Sequence, residues 1–124
     1  MEWNYGDYEG KQSVHIKQVR PDWDVFRDGC PNGEMPAQVL VRSDRLIARL
    51  RKLDGNVALF SHGQFCGVLG ARWIWMPLDC ARHFPLGIAS VSILGYDPDH
   101  PEVPVIALWN AAAHDIFNTA MERT

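Results

Sequence analysis

The sequence has few of the features that would assign a function directly. Its three cysteines are an odd number with no C-x-x-C spacing, so neither a disulfide framework nor a zinc site is indicated. The net charge of -3 gives no electrostatic reason to expect nucleic acid or a membrane surface as a partner. No apolar run approaches the length of about 18 residues that is needed to span a bilayer. The sequence also does not start with a basic segment followed by an apolar stretch, as a signal peptide would. We therefore expect a cytoplasmic protein that binds no metal.

The composition is that of an ordinary globular protein. Hydrophobic residues make up 47% and charged residues 22% of the sequence, and there is no internal repeat or low-complexity segment. A chain of this length fits one domain, which buries about two-thirds of the surface that the extended chain exposes. We predict a single domain over residues 1–124.

The strongest helix prediction runs from Pro36 to about Lys52. Apolar residues there recur on one side at helical spacing, and the turn residues Asp54-Gly55-Asn56 follow as a stop. Shorter helices are predicted for Gln12 to Val19, for Pro21 through Phe26 and for Phe65 to Ile74, with a weakly helical segment from Ala111 to Met121.

Three apolar or β-branched runs predict strands. They are Val57 to Phe60, Ile88 to Leu94 and Val103 to Trp109, and turn residues separate the last two. Helices that alternate with strands are typical of an α/β sandwich with a partly parallel sheet. We therefore predict the α/β class.

The segment Ser61-His62-Gly63-Gln64 is the most informative part of the sequence. It stands between the predicted strand that ends at Phe60 and the predicted helix that begins at Phe65. Backbone N–H groups and the positive end of a helix dipole converge at such a turn, so a histidine there is placed to face an anion such as phosphate. The alternative is a histidine that only caps the turn.

Three ordered segments resemble a known family. They are Glu2 to Gly10 (E-W-N-Y-G-D-Y-E-G), Trp23 to Glu34 (W-D-V-F-R-D-G-C-P-N-G-E) and Ser61-His62-Gly63. The sequence resembles the later two-thirds of a histidine phosphatase, or phosphoglycerate mutase-like, domain, and is most similar to the sedoheptulose-bisphosphatase-like, sugar-phosphate branch. The resemblance implies a three-layer α/β/α sandwich, incomplete at its N-terminus.

The resemblance also implies site residues. In that family a histidine in an R-H-G motif attacks phosphorus and forms a phosphohistidine, while a carboxylic acid protonates the leaving oxygen. Glu2 falls at the proton-donor position and His62 at the position of the second histidine, which stabilises the phosphoryl oxygens. Gly63 and Gln64 are placed with His62 as phosphate-binding residues. The implied substrate is a phosphorylated small molecule, and no cofactor is needed.

The nucleophile of the family has no counterpart in this sequence. The family's R-H-G strand precedes the equivalent of Glu2, and this chain begins immediately before that residue. The look-alike Arg82-His83-Phe84 is rejected because it lacks the glycine and follows no predicted strand. We expect either upstream sequence that supplies the nucleophile or a non-catalytic phosphate-binding or scaffold protein. A phosphoglycerate-mutase-type phosphotransferase is a further alternative.

Several residues have a structural interpretation beside the functional one. The Glu2 side chain, one residue from the start of the sequence, would ordinarily be mobile and solvated. The Glu34 carboxylate can instead interact with the dipole of the Pro36 helix. For the aromatic residues of the first segment, the two interpretations are packing on the core and lining a substrate opening. For the arginines of the Pro36 helix, they are a solvated helix face and the steering of an anionic substrate. Without its first strand the fold exposes apolar surface, so we expect the chain to oligomerise or to be poorly folded alone.

Overall fold

A computed structural model describes residues 1–112 and 114–116 of the chain. Four helices and two strands follow one another in the order α1 (Ser13–Val19), α2 (Val25–Asp28), α3 (Pro36–Leu50), α4 (Gly63–Trp73), β1 (Ser90–Tyr96) and β2 (Pro104–Ala112). Short 3-10 helices occupy Gly6–Tyr8 and Leu78–His83, and residues 114–116 are helical. Within these residues no helix is both long enough and apolar enough to cross a membrane.

The two longest helices, α3 and α4, pack against each other over the main core. Pro36 begins α3, and the Gln38 side chain accepts a hydrogen bond from the Met35 N–H at 2.7 Å, which satisfies a donor at the helix entrance. Val39 of α3 and Val68 of α4 are fully buried. The predicted helix from Pro36 to about Lys52 is therefore confirmed, two residues shorter at its C-terminal end.

The other predicted helices are found with adjusted starts. The second helix begins at Val25 rather than at Pro21, because the Asp24 side chain accepts from the Phe26 N–H at 2.9 Å and caps the helix there. The helix predicted from Phe65 begins two residues earlier, at Gly63. In the last predicted helix, residues 111–112 end β2 and residues 114–116 are helical, while its remainder lies outside the described residues.

The prediction of a strand at Val57–Phe60 is wrong. Among the described residues the sheet consists of β1 and β2 alone, and Val57–Phe60 pairs with neither. A strand needs a neighbour for its backbone N–H and C=O groups, and no described strand lies beside this run. Its side chains are exposed instead, Phe60 to 94%.

The two strands that do form are antiparallel. Tyr96 pairs with Pro104 and Ser90 with Ala112, with register shifts on both sides of Ile93. The predicted partly parallel sheet does not form among the described residues, because Val57–Phe60, the first of the three predicted strands, pairs with neither of the others. The mixture of helices and strands agrees with the α/β class, and the three-layer arrangement remains a prediction.

Glycines allow the N-terminal segment to dock closely on the loop before α3. A Cβ atom on Gly33 would lie 2.3 Å from the carbonyl oxygen of Asn4, and Gly6 adopts a positive φ of 53°. The Glu34 N–H donates to the Asn4 carbonyl at 2.8 Å, and the Asp7 N–H donates to that of Pro31 at 2.8 Å. These contacts fix the path of the segment that carries Glu2.

Candidate active site

The Glu2 carboxylate is bound to the N-terminal end of α4. Its oxygens accept hydrogen bonds from the backbone N–H groups of Gln64 at 3.0 Å, Phe65 at 2.7 Å and its own neighbour Trp3 at 2.8 Å. Orphan N–H groups at a helix start favour such an acceptor, and the helix dipole favours its negative charge. The carboxylate is therefore held in place, unlike a solvated side chain near a chain end.

His62 is the N-cap residue of α4, and its side chain is exposed. Its backbone is extended, at φ -128° and ψ 167°, and its carbonyl accepts from the Cys66 N–H at 3.0 Å as the helix begins. The imidazole makes no capping hydrogen bond. The ring therefore does not cap the turn through its side chain, and it is exposed to solvent, while the phosphate-facing role of His62 stays a prediction.

Gly63 and Gln64 differ in how far their polar groups are engaged. In the described part of the chain, the Gly63 N–H has no hydrogen-bond partner, so it is open to an oxygen of a bound anion. The Gln64 N–H is taken by Glu2, and the Gln64 side-chain oxygen accepts from the Tyr5 hydroxyl at 2.5 Å. Burial raises the pKa of Tyr5 to about 12, against the effect of that hydrogen bond, so the phenol remains a donor at neutral pH.

An arginine that the sequence did not single out fixes the N-terminal segment. Arg42 of α3 donates to both Glu34 carboxylate oxygens, at 3.0 and 2.9 Å, and to the carbonyls of Met1 and Glu2, at 2.8 and 3.1 Å. Its guanidinium also stands 4.1 Å from the ring centre of Phe65. Arg42 thus joins α3, the start of the chain and the first turn of α4.

The partners of Glu34 correct the interpretation that placed it at a helix dipole. Besides Arg42, its carboxylate accepts from the Asn4 N–H at 2.8 Å. Burial opposes its ionisation, but the hydrogen bonds from Arg42 and Asn4 outweigh burial and lower the pKa of Glu34. No local spacing distinguishes Arg42 from the other arginines of α3, so only the fold identifies it.

The aromatic residues of the first segment belong to the core. Trp3 is 1% exposed and its indole N–H donates to the Glu34 carbonyl at 2.9 Å. Tyr5 and Tyr8 both make edge contacts with Trp23. Their packing supports the loop that carries Glu2.

The remaining titratable residues form no second centre within the described residues. No group of three or more His, Cys, Asp or Glu side chains there could hold a metal ion. Arg82 of the rejected R-H-F segment pairs with Asp24 at 2.9 Å, and His83 ends a 3-10 helix rather than following a strand.

Comparison with known families identifies the family of this chain. The family model described as histidine phosphatase superfamily (branch 1) matches residues 1–111, which include Glu2 and His62. The chain belongs to the histidine phosphatase superfamily. The resemblance inferred from the three sequence segments is thereby confirmed.

Two curated relatives carry phosphatase names. The chain is 38% identical over 109 residues to an acid phosphatase of Mycobacterium tuberculosis, covering 86% of this chain and 54% of the relative. It is 34% identical over 124 residues to sedoheptulose 1,7-bisphosphatase of Saccharomyces cerevisiae, covering 86% of this chain and 44% of the relative. The chain thus spans about half the length of these two curated relatives.

Solved structures agree with this assignment. The structure of open reading frame Rv3214 from Mycobacterium tuberculosis has a TM-score of 0.80 at 36% identity, covering 90% of this chain and 57% of that one. The α-ribazole phosphatase of Shigella flexneri has a TM-score of 0.70 at 24% identity, covering 90% and 59%, and shows the fold alone. The described helices and strands therefore form part of a histidine phosphatase fold.

Proposed function

We propose that this chain provides the proton donor and the second histidine of a site that hydrolyses phosphate monoesters. The observation that carries the proposal is the fixed Glu2 carboxylate at the helix start where His62 is the N-cap residue. Sugar phosphates are the proposed substrates, in keeping with the name of the yeast relative. The phosphatase names of both relatives support hydrolysis.

In this proposal each residue has one task. The His62 imidazole and the Gly63 N–H bind the equatorial oxygens of the phosphoryl group and stabilise the charge that develops on them. Hydrolysis also needs the histidine nucleophile of an R-H-G motif, which these 124 residues do not contain. That histidine would attack phosphorus and form the phosphohistidine while the P–O bond breaks and Glu2 gives the ester oxygen a proton. Glu2 would then take a proton from the water that attacks the phosphohistidine and releases phosphate. Gln64 binds beside them through its side-chain amide.

A second candidate function is phosphate binding without turnover. The 124 residues contain no R-H-G triplet, the motif that carries the phosphorylated histidine in the family. With His62 and the Gly63 N–H alone, the chain would bind phosphate and leave the ester bond intact.

The two functions are separated by measuring binding and turnover on the same protein. Binding of inorganic phosphate is followed by backbone amide NMR, and turnover by hydrolysis of an aryl phosphate. Turnover that His62→Ala and Glu2→Gln both abolish supports hydrolysis, whereas shifts at Gly63 without turnover support binding alone. His100→Ala, another exposed histidine, is the matched control. The absence of both signals would refute both functions.

A further inference from the structure

A tryptophan ends helix α4 in a backbone conformation that favours glycine. Trp75 has a φ of 65°, in the left-handed region where a bulky side chain is strained. Its N–H donates to the Arg72 carbonyl at 3.1 Å, and the Met76 N–H donates to the Ala71 carbonyl at 2.9 Å. This pair of bonds places Trp75 directly after the helix cap, where glycine is the most common residue. The side chain is not buried in exchange, because it is 64% exposed.

The indole of Trp75 also differs from the other four indoles of the chain. Those of Trp3, Trp23, Trp73 and Trp109 each donate their N–H to a backbone carbonyl, at 2.8 to 3.0 Å. The Trp75 indole has no hydrogen-bond partner within the part of the chain that the structure describes. A strained and exposed tryptophan with an unused donor points to contact with another molecule, because tryptophan is prominent among the residues that dominate protein interfaces.

Other exposed side chains lie at the same end of the molecule. The ends of α3 and α4 meet there, since the Arg51 guanidinium stands 5.3 Å from the ring centre of Trp73. The end of β1 reaches the same place, because the ring centres of Tyr96 and Trp73 are 5.3 Å apart. Tyr96 and Met76 are both exposed. We call this end of the molecule, centred on Trp75, the Trp75 surface.

The Trp75 surface receives opposite charges from two elements. Arg51 and Lys52 follow the last residue of α3, and Asp99 lies in the turn between β1 and β2. None of the three forms an ion pair with another residue of the described ranges. A surface that carries both signs is complementary to itself, because a twofold rotation brings the basic part of one copy opposite the acidic part of the other. An anionic membrane would be repelled by the acidic part.

We infer that the Trp75 surface is the interface of a symmetric dimer of this chain. Trp75 is the apolar anchor, and Lys52 of each copy faces Asp99 of the other, which gives two such pairs in a dimer. The surface lies at the C-terminal end of the 11-residue helix α4, roughly 16 Å along its axis from the end that binds Glu2 and carries His62. The dimer therefore leaves the candidate active site open, and the inference does not depend on the proposed function.

The first test replaces the anchor by the residue that suits its backbone. Light scattering over a range of concentrations gives the dissociation constant of the dimer, which Trp75→Gly should raise at least tenfold. At a concentration where the parent is monomeric, the variant should melt no lower than the parent, because glycine adopts a positive φ without strain. Loss of the dimer would then not be a failure to fold. Phe60→Ser, which changes another exposed apolar side chain, should keep the dimer and lose only larger assemblies.

The second test reverses the charges. Lys52→Glu and Asp99→Lys should each weaken the dimer about tenfold, because each variant loses both ion pairs. An equal mixture of the two variants should dimerise like the parent. In the mixed dimer the two reversed charges face each other, and so do the two unchanged ones. Lys17→Glu, the same reversal at an exposed lysine of α1, is the matched control and should leave the dimer unchanged.

Several results would overturn the inference. They are a parent that stays monomeric over the whole concentration range, a Trp75→Gly protein that dimerises like the parent, and a mixture of the charge variants that associates no better than either alone. Dimers lost in Phe60→Ser but kept in Trp75→Gly would assign the association to the exposed run Val57–Phe60 instead.

Discussion

Replacement of Arg42 by alanine tests how the site is assembled. The substitution removes two hydrogen bonds to Glu34 and one each to the carbonyls of Met1 and Glu2. It also removes the cation above the Phe65 ring. The Glu34 carboxylate would keep the Asn4 N–H as a donor but lose its counter-charge.

The expected loss of stability follows from these contacts. Hydrogen bonds to charged groups contribute about 1.5–3 kcal/mol each when buried, but the Arg42 and Glu34 side chains are 26% and 16% exposed and water replaces part of the loss. The ring contact adds about 0.5 kcal/mol. We expect a total of about 2–3 kcal/mol, which lowers the melting temperature of a domain of this size by roughly 10 °C.

Thermal unfolding followed by circular dichroism measures that loss, and NMR tests its cause. The Gln64 and Phe65 amides donate to Glu2, so their resonances in Arg42→Ala should move toward those of Glu2→Ala. Arg45→Ala, an exposed arginine of the same helix, should leave both the melting temperature and these resonances unchanged. An Arg42→Ala protein that melts like the parent, with both amides unmoved, would refute the reasoning.

Three further predictions concern acid, thiol chemistry and association. The pKa of Glu34 is lower in the folded protein than in the unfolded chain. Its pairing therefore stabilises the fold fully above the unfolded pKa, and this stabilisation is lost as the pH falls through the folded pKa. The difference in melting temperature between the parent and Glu34→Gln should thus shrink below about pH 4. Equal differences at pH 3 and pH 7 would contradict this. Burial, with a smaller contribution from Glu9, raises the pKa of Cys30 to about 11. A thiol reagent at pH 8 should therefore modify the half-buried Cys80 well before Cys30. Equal rates of modification at the two thiols of the folded protein would count against this prediction. Phe60 is 94% exposed, so the Phe60→Ser variant should melt at the same temperature as the parent. The variant should also associate less than the parent does, as measured by light scattering. A parent protein that is monomeric at all concentrations would disprove the expected association.

Local sequence patterns were enough to predict the helices and the family. Apolar spacing and Pro36 define α3, because helix formation depends on residues three or four positions apart. The position of His62 at a helix start was predicted in the same way, from the apolar run that follows it. The family also followed from sequence, since its motifs are short and contiguous.

The contacts that hold the site together could not be predicted from the sequence, because they join residues far apart in the chain. Glu2 meets Phe65 across 63 positions of sequence, and Arg42 reaches Met1 across 41, through docking of loops that no local pattern encodes. Similarly, Val57–Phe60 has the composition of a strand, but a strand also requires a partner for its backbone, and no described strand lies beside it. Local propensity therefore fixed where the helices lie in the sequence, whereas long-range hydrogen bonds and the availability of neighbours fixed which residues came together.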